Sequence, residues 1–136
     1  MTEQSVESTD VHSGGCLCGR VRYAVHGALR DVVACHCSQC RRTSGHFAAM
    51  TSAPSAAIVL TAKESLAWYK SSEIAERGFC RDCGSNLFWR EFGSDTTSIT
   101  GGTLDAAAGL KIERHIFVRD KAEYYTITDG APQFDE

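Results

Sequence analysis

Seven cysteines fall into two sets whose spacing is typical of metal binding. Three of them, Cys35, Cys37 and Cys40, lie within six positions of one another. The other four form two short pairs, which are Cys16 with Cys18 and Cys80 with Cys83. Thiolates around a zinc ion lie about 2.3 Å from the metal in a tetrahedron, so the ligand sulfurs must converge. Strand positions i and i+2 share a face, and a Cys-x-x-Cys turn folds its sulfurs together, so this spacing predicts zinc sites.

The two sets predict two kinds of site. The segment Cys80-Arg81-Asp82-Cys83-Gly84 has the form of a zinc knuckle, and two cysteine pairs from distant segments make a closed, structural four-thiolate site. The set of three is one ligand short, and three protein ligands with an exchangeable fourth position are typical of a catalytic zinc. We therefore interpret the set of three as an open zinc site. Spacing alone leaves a swapped partition open, in which Cys80 or Cys83 completes that set.

Two other interpretations of the cysteines compete with zinc. Disulfides are disfavoured because seven is an odd number, because pairs at i and i+2 rarely close onto each other, and because nothing suggests secretion. A Cys-x-x-Cys redox motif fits Cys37 with Cys40 and also Cys80 with Cys83. Neither interpretation uses all seven cysteines.

Size and charge narrow the function classes. The chain of 136 residues predicts a single domain, and 43% hydrophobic residues is an ordinary globular composition. A net charge of −3 disfavours general nucleic-acid binding. No segment approaches the roughly 20 apolar residues of a membrane span, and the polar Met1 to Asp10 lacks the apolar core of a signal peptide. We expect a cytoplasmic protein, because a reducing compartment keeps thiolates available to metal.

The order of the hydrophobic runs predicts a mainly β fold. Residues 1–12 contain little to bury and are expected to be a disordered acidic lead-in, and residues 13–136 are expected to form one zinc-binding domain. Alternation of Val21, Tyr23 and Val25 with polar neighbours predicts a half-buried antiparallel strand. No long amphipathic helix is predicted. Further strands are predicted at 31–34, 47–51, 58–60, 66–69, 74–79, 86–90, 98–100, 115–118 and 124–127.

Two short helical turns are also predicted. Ser38 is expected to cap a brief helical turn that ends at Gly45, which places the set of three cysteines at a junction between strand and turn. Asp105 has two possible roles, to cap a second turn that extends to Ala108 or to reach the open site, and the cap is the expected one.

Several polar and aromatic residues near these motifs have expected roles. His36 should point away from its cysteine neighbours and lie behind the ligands or at the surface. Arg41 and Arg42 are candidates to bind an anionic substrate or to offset the charge of three thiolates. Two histidines, His46 and His115, are expected to be structural. Two aromatic pairs, Trp68 with Tyr69 and Phe88 with Trp89, are expected to belong to the core.

The same segments resemble a known family, the glutathione-dependent formaldehyde-activating enzymes and centromere protein V. The match runs in order from about residue 13 to the end and uses all seven cysteines. The segments that carry it are Gly15-Cys16-Leu17-Cys18-Gly19-Arg20-Val21-Arg22-Tyr23, Cys35-His36-Cys37-Ser38-Gln39-Cys40-Arg41, Phe79-Cys80-Arg81-Asp82-Cys83-Gly84-Ser85, Gly102-Thr103-Leu104-Asp105 and His115-Ile116.

The resemblance implies a fold, two zinc ions per chain and an activity. It implies a β-tent of antiparallel sheets. It also implies a structural zinc held by Cys16, Cys18, Cys80 and Cys83, and a catalytic zinc held by Cys35, Cys37 and Cys40. The activity implied is a carbon–sulfur lyase that joins formaldehyde to glutathione, giving S-hydroxymethylglutathione.

The open site suggests a mechanism, and two other function classes compete with it. We expect a small-molecule thiol such as glutathione to bind at the open site and to react with an electrophilic carbon, in a protein that is a monomer or homodimer. One alternative is a zinc-stapled interaction module without catalysis. The other is a thiol redox or zinc-storage protein.

Overall fold

The structure is a computed structural model that describes residues 10–136. Within that range the chain forms ten β-strands, one α-helix (α1, Ser38–Ser44) and three short 3-10 turns, at Ser55–Ala57, Gly101–Thr103 and Val118–Asp120. The strands are β1 Val11–Gly15, β2 Arg22–His26, β3 Val32–Cys35, β4 Ala48–Pro54, β5 Ile58–Ala62, β6 Leu66–Lys70, β7 Ala75–Cys80, β8 Asn86–Glu91, β9 Thr96–Thr100 and β10 Ile112–Ile116.

The strands form two sheets. The smaller sheet has the order β1-β2-β5, and the larger has the order β10-β3-β4-β9-β8-β7-β6. Neighbouring strands pair antiparallel except β10 with β3, the one parallel pair among the described strands. The predicted mainly β fold is confirmed, with this single exception to its antiparallel pairing.

The hydrophobic core combines side chains of both sheets. Tyr23 and Val25 of β2 are fully buried, as the alternation in the sequence predicts, and they belong to one buried cluster with Leu87, Phe88 and Ile99 of the larger sheet. The rings of Tyr23 and Phe88 meet edge to face, with centroids 5.5 Å apart. Burial of these side chains holds the sheets together.

The first strand was not predicted. β1 begins at Val11, two residues before the expected start of the domain, and pairs with β2 over its whole length. The rest of the predicted disordered lead-in, residues 1–9, lies outside the described residues, and Asp10 is described but belongs to no strand or helix. Among the residues described, no helix has the length and apolar character needed to cross a membrane.

Three predictions about local structure were wrong. Helix α1 is capped by Cys37 and not by Ser38, although it does end at Gly45, in the left-handed conformation. No helical turn spans 105–108, and Asp105 pairs with Arg22 instead of capping one. The run 124–127 is not a strand, because it pairs with no strand in the described part of the chain.

Candidate metal centres

Four cysteine sulfurs from two distant segments meet in what we call the four-sulfur group, made of Cys16, Cys18, Cys80 and Cys83. All four lie within 4.8 Å of one another. The Cys18 Sγ is 3.7 Å from the Cys16 Sγ and 3.7 Å from the Cys80 Sγ. Tetrahedral ligands 2.3 Å from a metal are separated by about 3.8 Å, so these sulfurs fit a closed zinc site.

Turns at both ends of the four-sulfur group direct hydrogen bonds at its sulfurs. Val21 N donates to the Cys16 Sγ at 3.2 Å, and Cys83 N donates to the Cys80 Sγ at 3.4 Å. Hydrogen bonding by the side chain and backbone N–H of Ser85 lowers the pKa of Cys83 to about 5. Donors aimed at sulfur stabilise the thiolate, which is the form that binds metal.

The remaining cysteines, Cys35, Cys37 and Cys40, form the three-sulfur group, and their sulfurs also lie within 4.8 Å of one another. Cys35 ends β3, Cys37 is the N-cap of α1, and Cys40 is buried in its first turn. The Cys37 Sγ accepts the Cys40 N–H at 3.4 Å. The end of β3 and the start of α1 therefore hold these three sulfurs close together. The structure groups the cysteines as four and three, without the swapped partition.

The three thiols lie so close together that each changes the pKa of the others, an arrangement that favours binding of a cation. Hydrogen bonds from the thiols of Cys35 and Cys40 lower the pKa of Cys37 to about 2. The contact with Cys37, followed by that with Cys40, raises the pKa of Cys35 far above its usual range. Close contact thus favours the thiolate of Cys37 over that of Cys35, and a divalent ion that binds thiolates, such as Zn²⁺, would favour ionisation of all three.

A guanidinium from across the larger sheet reaches the three-sulfur group. Arg77 of β7 donates from Nη2 to the Cys40 Sγ at 3.7 Å and to the Gln39 Oε1 at 3.3 Å. Its Nε is buried and has no hydrogen-bond partner among residues 10–136. The sequence analysis did not single out Arg77, because no local motif marks a residue 37 positions away from Cys40.

The three-sulfur group borders a cleft of about 590 Å³. One face of the larger sheet forms its floor, and the start of α1 forms a wall. Trp89, expected in the core, lines it. Its other lining residues are Arg30, Val33, Cys35, Cys37, Ser38, Gln39, Cys40, Met50, Ser72, Ile74, Ala75, Arg77, Ser98, Arg114, Ile116, Phe117 and Asp120.

His36 lies behind the ligands in a buried chain of hydrogen bonds. Its Nε2 is 2.9 Å from the His115 Nδ1, and the His115 Nε2 is 2.8 Å from the Asp129 Oδ2. Burial first, and then the neighbouring charge of His115, lowers the pKa of His36 to about 4. His36 thus points away from the sulfurs and is buried, as one branch of its prediction stated, and His115 is structural as predicted.

Other predicted residues lie outside this cleft. Arg41 and Arg42 follow the three-sulfur group in α1 but do not line the cleft, so the hypothesis that either binds the substrate there finds no support. Asp105 is also outside it, where its carboxylate accepts hydrogen bonds from the Arg22 guanidinium. His46, expected to be structural, contacts the Tyr124 hydroxyl at 3.0 Å from Nδ1.

Comparison with known proteins identifies the family. The model of the glutathione-dependent formaldehyde-activating enzyme family matches residues 11–120. The chain belongs to this family. A relative from Schizosaccharomyces pombe, named as an uncharacterized lyase, is 26% identical over 127 residues, which is 90% of each chain. The resemblance seen in the sequence is thereby confirmed.

A solved structure supports the fold independently. The crystal structure of a Rhodobacter sphaeroides protein matches with a TM-score of 0.62 and 22% sequence identity, over 90% of this chain and 98% of that one. At this level of identity the likeness concerns the fold alone. The two sheets are therefore an arrangement shared with a solved protein.

Proposed function

We propose that this member of the formaldehyde-activating family is a zinc-dependent carbon–sulfur lyase. Cys35, Cys37 and Cys40 hold a catalytic zinc, and the four-sulfur group holds a structural zinc. The substrate is a small thiol such as glutathione, which is joined to formaldehyde as S-hydroxymethylglutathione. The family match and the lyase name of the S. pombe relative support the reaction class. We also propose a cytoplasmic location, because a reducing compartment keeps thiolates available to bind metal.

The observation that carries this proposal is the different surroundings of the two cysteine groups. All three sulfur-bearing residues of the three-sulfur group line the 590 Å³ cleft, whereas no member of the four-sulfur group does. An exchangeable ligand position is useful only where a substrate can reach it. The cleft therefore supports our assignment of the three-sulfur group as the reacting centre.

The chemistry is addition of a thiol to an aldehyde. Cys35, Cys37 and Cys40 would hold the zinc ion, which would offer an exchangeable coordination position and lower the pKa of a thiol bound there. In the forward direction the sulfur–carbon bond forms, the carbonyl π bond opens, and the proton released by the thiol ends on the new hydroxyl oxygen. The reverse direction breaks the sulfur–carbon bond and releases the aldehyde and thiol, with no oxidant or reductant required.

Neighbouring side chains offset the charge of the three-sulfur group and fix its backbone. Three thiolates and one divalent cation carry a net negative charge, which would repel a fourth thiolate. Arg77 offsets that charge through its hydrogen bond to the Cys40 Sγ, and Gln39 holds the guanidinium in place. The chain of hydrogen bonds from the buried His36 and His115 to the exposed Asp129 fixes the backbone between Cys35 and Cys37.

The test uses cobalt-substituted protein titrated with glutathione, because visible bands of thiolate-bound Co²⁺ report its ligands. Wild-type protein should bind two cobalt ions per chain and show a saturable change with glutathione. Cys37→Ser should keep the cobalt of the four-sulfur group and lose the response. Zinc-loaded wild type, but not Cys37→Ser, should accelerate formation of S-hydroxymethylglutathione from isotope-labelled formaldehyde, measured by NMR.

Two results would refute the proposal. One is an unchanged rate in Cys37→Ser with its fold intact. The other is the absence of any spectral response to thiols when cobalt fills both groups, which would favour a zinc-stapled interaction module. Reversible disulfide formation within the three-sulfur group with loss of metal would instead favour a redox or storage role.

A further inference from the structure

The cleft beside the three-sulfur group is positively charged. Its charged lining residues are Arg30, Arg77, Arg114 and Asp120, that is, three cations and one anion. Much of the rest is apolar, including Met50, Trp89, Ile116 and Phe117. A cleft of this character favours a ligand with an anionic group and an apolar chain.

Arg30 and Arg114 lie beside the same row of paired residues, which crosses three strands of the larger sheet. Arg114 of β10 is paired with Val33 of β3, and Val33 is paired on its other side with Met50 of β4. Arg30, which precedes β3, donates from Nη2 to the Met50 carbonyl oxygen at 2.8 Å. Arg30 and Arg114 therefore approach the cleft from two sides of the same row of residues.

That row lies at a defined distance from the sulfurs. Val33 precedes Cys35 by two residues on β3, and Cys35 is paired with Ile116, two residues beyond Arg114 on β10. Two residues of extended strand span about 7 Å. A ligand with its sulfur at the three-sulfur group can thus place an anion between the arginines if its sulfur and anion are separated by a similar length.

The guanidinium groups retain donors for such an anion. Arg30 bonds only to backbone oxygens, those of Asp31 and Met50, and has no carboxylate partner within residues 10–136. Arg114 has an ion pair with Glu113, whose Oε2 lies 3.6 Å from Nε. Partial burial lowers the pKa of Arg30; Glu113 opposes that shift and Arg114 adds to it. A bound anion relieves the repulsion between the two cations.

We propose that Arg30 and Arg114 form a carboxylate-binding subsite, and that the substrate is a thiol whose carboxylate lies about 7 Å from its sulfur. The planar guanidinium matches a carboxylate with paired hydrogen bonds. This inference rests on the proposed function, since the three-sulfur group supplies the other anchor. It assigns substrate selection to residues outside α1, in place of Arg41 and Arg42.

The experiment compares 6-mercaptohexanoate with its methyl ester, which has the same thiol and chain without the charge. Each is titrated into cobalt-substituted protein, and affinity is read from the visible bands. Wild type should bind the acid at least about tenfold more tightly than the ester. The double variant Arg30→Gln/Arg114→Gln should lose that preference. The control Arg42→Gln removes an exposed arginine outside the cleft and should retain it.

A shorter thiol controls for effects near the metal. Mercaptoacetate holds its carboxylate close to the sulfur, within reach of Arg77 but not of the row at Val33, so its affinity should be the same in wild type and the double variant. The spectrum before thiol addition shows whether each variant keeps both metal groups. Neither substituted arginine is among the buried core residues, so the substitutions leave the core intact.

The outcomes separate the subsite from the proposed function. If no thiol changes the wild-type spectrum, the proposed function fails and the subsite fails with it. If both acid and ester bind but with equal affinity, or if the preference survives in the double variant, the subsite is wrong while thiol binding at the three-sulfur group stands. Loss of the preference in Arg42→Gln as well would also overturn the assignment.

Discussion

His36 sits between two predicted metal ligands, yet its side chain serves the fold. Asp129 accepts the Nε2–H of His115, so the Nδ1 of His115 is left to accept the Nε2–H of His36. Both rings are fully buried, and the His36 ring also packs at a tilt against Phe47, with ring centroids 4.9 Å apart. The chain fixes one tautomer of each histidine and anchors the backbone that positions Cys35 and Cys37.

Replacing His115 should therefore loosen the three-sulfur group. His115→Phe keeps a ring but leaves the buried His36 N–H without an acceptor, which costs about 1–3 kcal/mol. We expect a lower free energy of unfolding in urea and weaker metal retention by the three-sulfur group, with the four-sulfur group unaffected. His26→Ala, at an exposed histidine, should change stability by less than about 0.5 kcal/mol. Unchanged stability and metal content in His115→Phe would show that the chain is dispensable.

The sequence predicted the ligands better than their surroundings. Cysteine spacing is local, so Cys35, Cys37 and Cys40 could be grouped without a structure. Arg77 reaches Cys40 only because β7 lies opposite α1 after folding. Arg30 and Arg114 meet because β10 pairs in parallel with β3, a long-range contact that no sequence motif specifies.

At the scale of elements, alternation of apolar and polar residues predicted strands reliably, whereas strand-like or strand-poor composition did not. β2 was predicted from its alternation, whereas β1 (Val-His-Ser-Gly-Gly) has little strand propensity and exists because it pairs with β2 over five positions. Conversely, Tyr124 and Tyr125 look strand-like, but their rings pack near His46, at centroid distances of 5.5 and 4.5 Å. Tertiary pairing decides whether such a segment becomes a strand.

The glycines of β1 have a packing role that can be tested. A Cβ on Gly14 would lie 2.3 Å from the Tyr23 hydroxyl and 2.4 Å from the Thr103 carbonyl oxygen. Gly14→Ala should therefore destabilise the protein by about 1–3 kcal/mol through overpacking. Gly102→Ala is the matched control, because a Cβ there meets no atom of the described residues within 4 Å. Urea unfolding measures both, and equal stabilities would mean that β1 shifts freely.

The ion pair of Arg22 with Asp105 links β2 to the segment after the 3-10 turn at Gly101–Thr103. Hydrogen bonding by Arg22 lowers the pKa of Asp105, so the stability it contributes is present above the ordinary carboxyl pKa, about 4. It is lost as pH falls through the lowered folded value. Asp105→Asn should be less stable than wild type near neutral pH, with a difference that shrinks in acid.

Urea midpoints of wild type and Asp105→Asn between neutral pH and pH of about 3 measure this effect, and Arg22→Gln should remove the difference between Asp and Asn at position 105. Comparing paired variants cancels the loss of metal that acid causes in both. A difference that stays constant with pH would show that the pair does not govern Asp105 ionisation.

For the whole molecule, the four-sulfur group is a connection between sheets. Cys16 and Cys18 lie in the turn between β1 and β2 of the smaller sheet, whereas Cys80 and Cys83 lie at the end of β7 in the larger one. The Cys16 and Cys80 side chains are buried within the core cluster that the sheets share. The three-sulfur group joins only β3 to α1, which are adjacent in the chain. The two groups should therefore contribute unequally to stability.

Cys18→Ser and Cys37→Ser test this difference, because each removes one ligand by replacing sulfur with oxygen. Cys18 is exposed, so the substitution leaves no core cavity, and its effect reports the lost cross-link. Cys18 and Cys80 are 62 residues apart, and closing a loop of that size is worth about 4 kcal/mol in the chain-entropy treatment of cross-links. We expect a much lower melting temperature for zinc-loaded Cys18→Ser and only a small decrease for Cys37→Ser. A strong chelator should destabilise wild type and Cys37→Ser by similar amounts and Cys18→Ser by less. Equal melting temperatures for the two variants would mean that core burial alone holds the sheets together and that the four-sulfur group has another role.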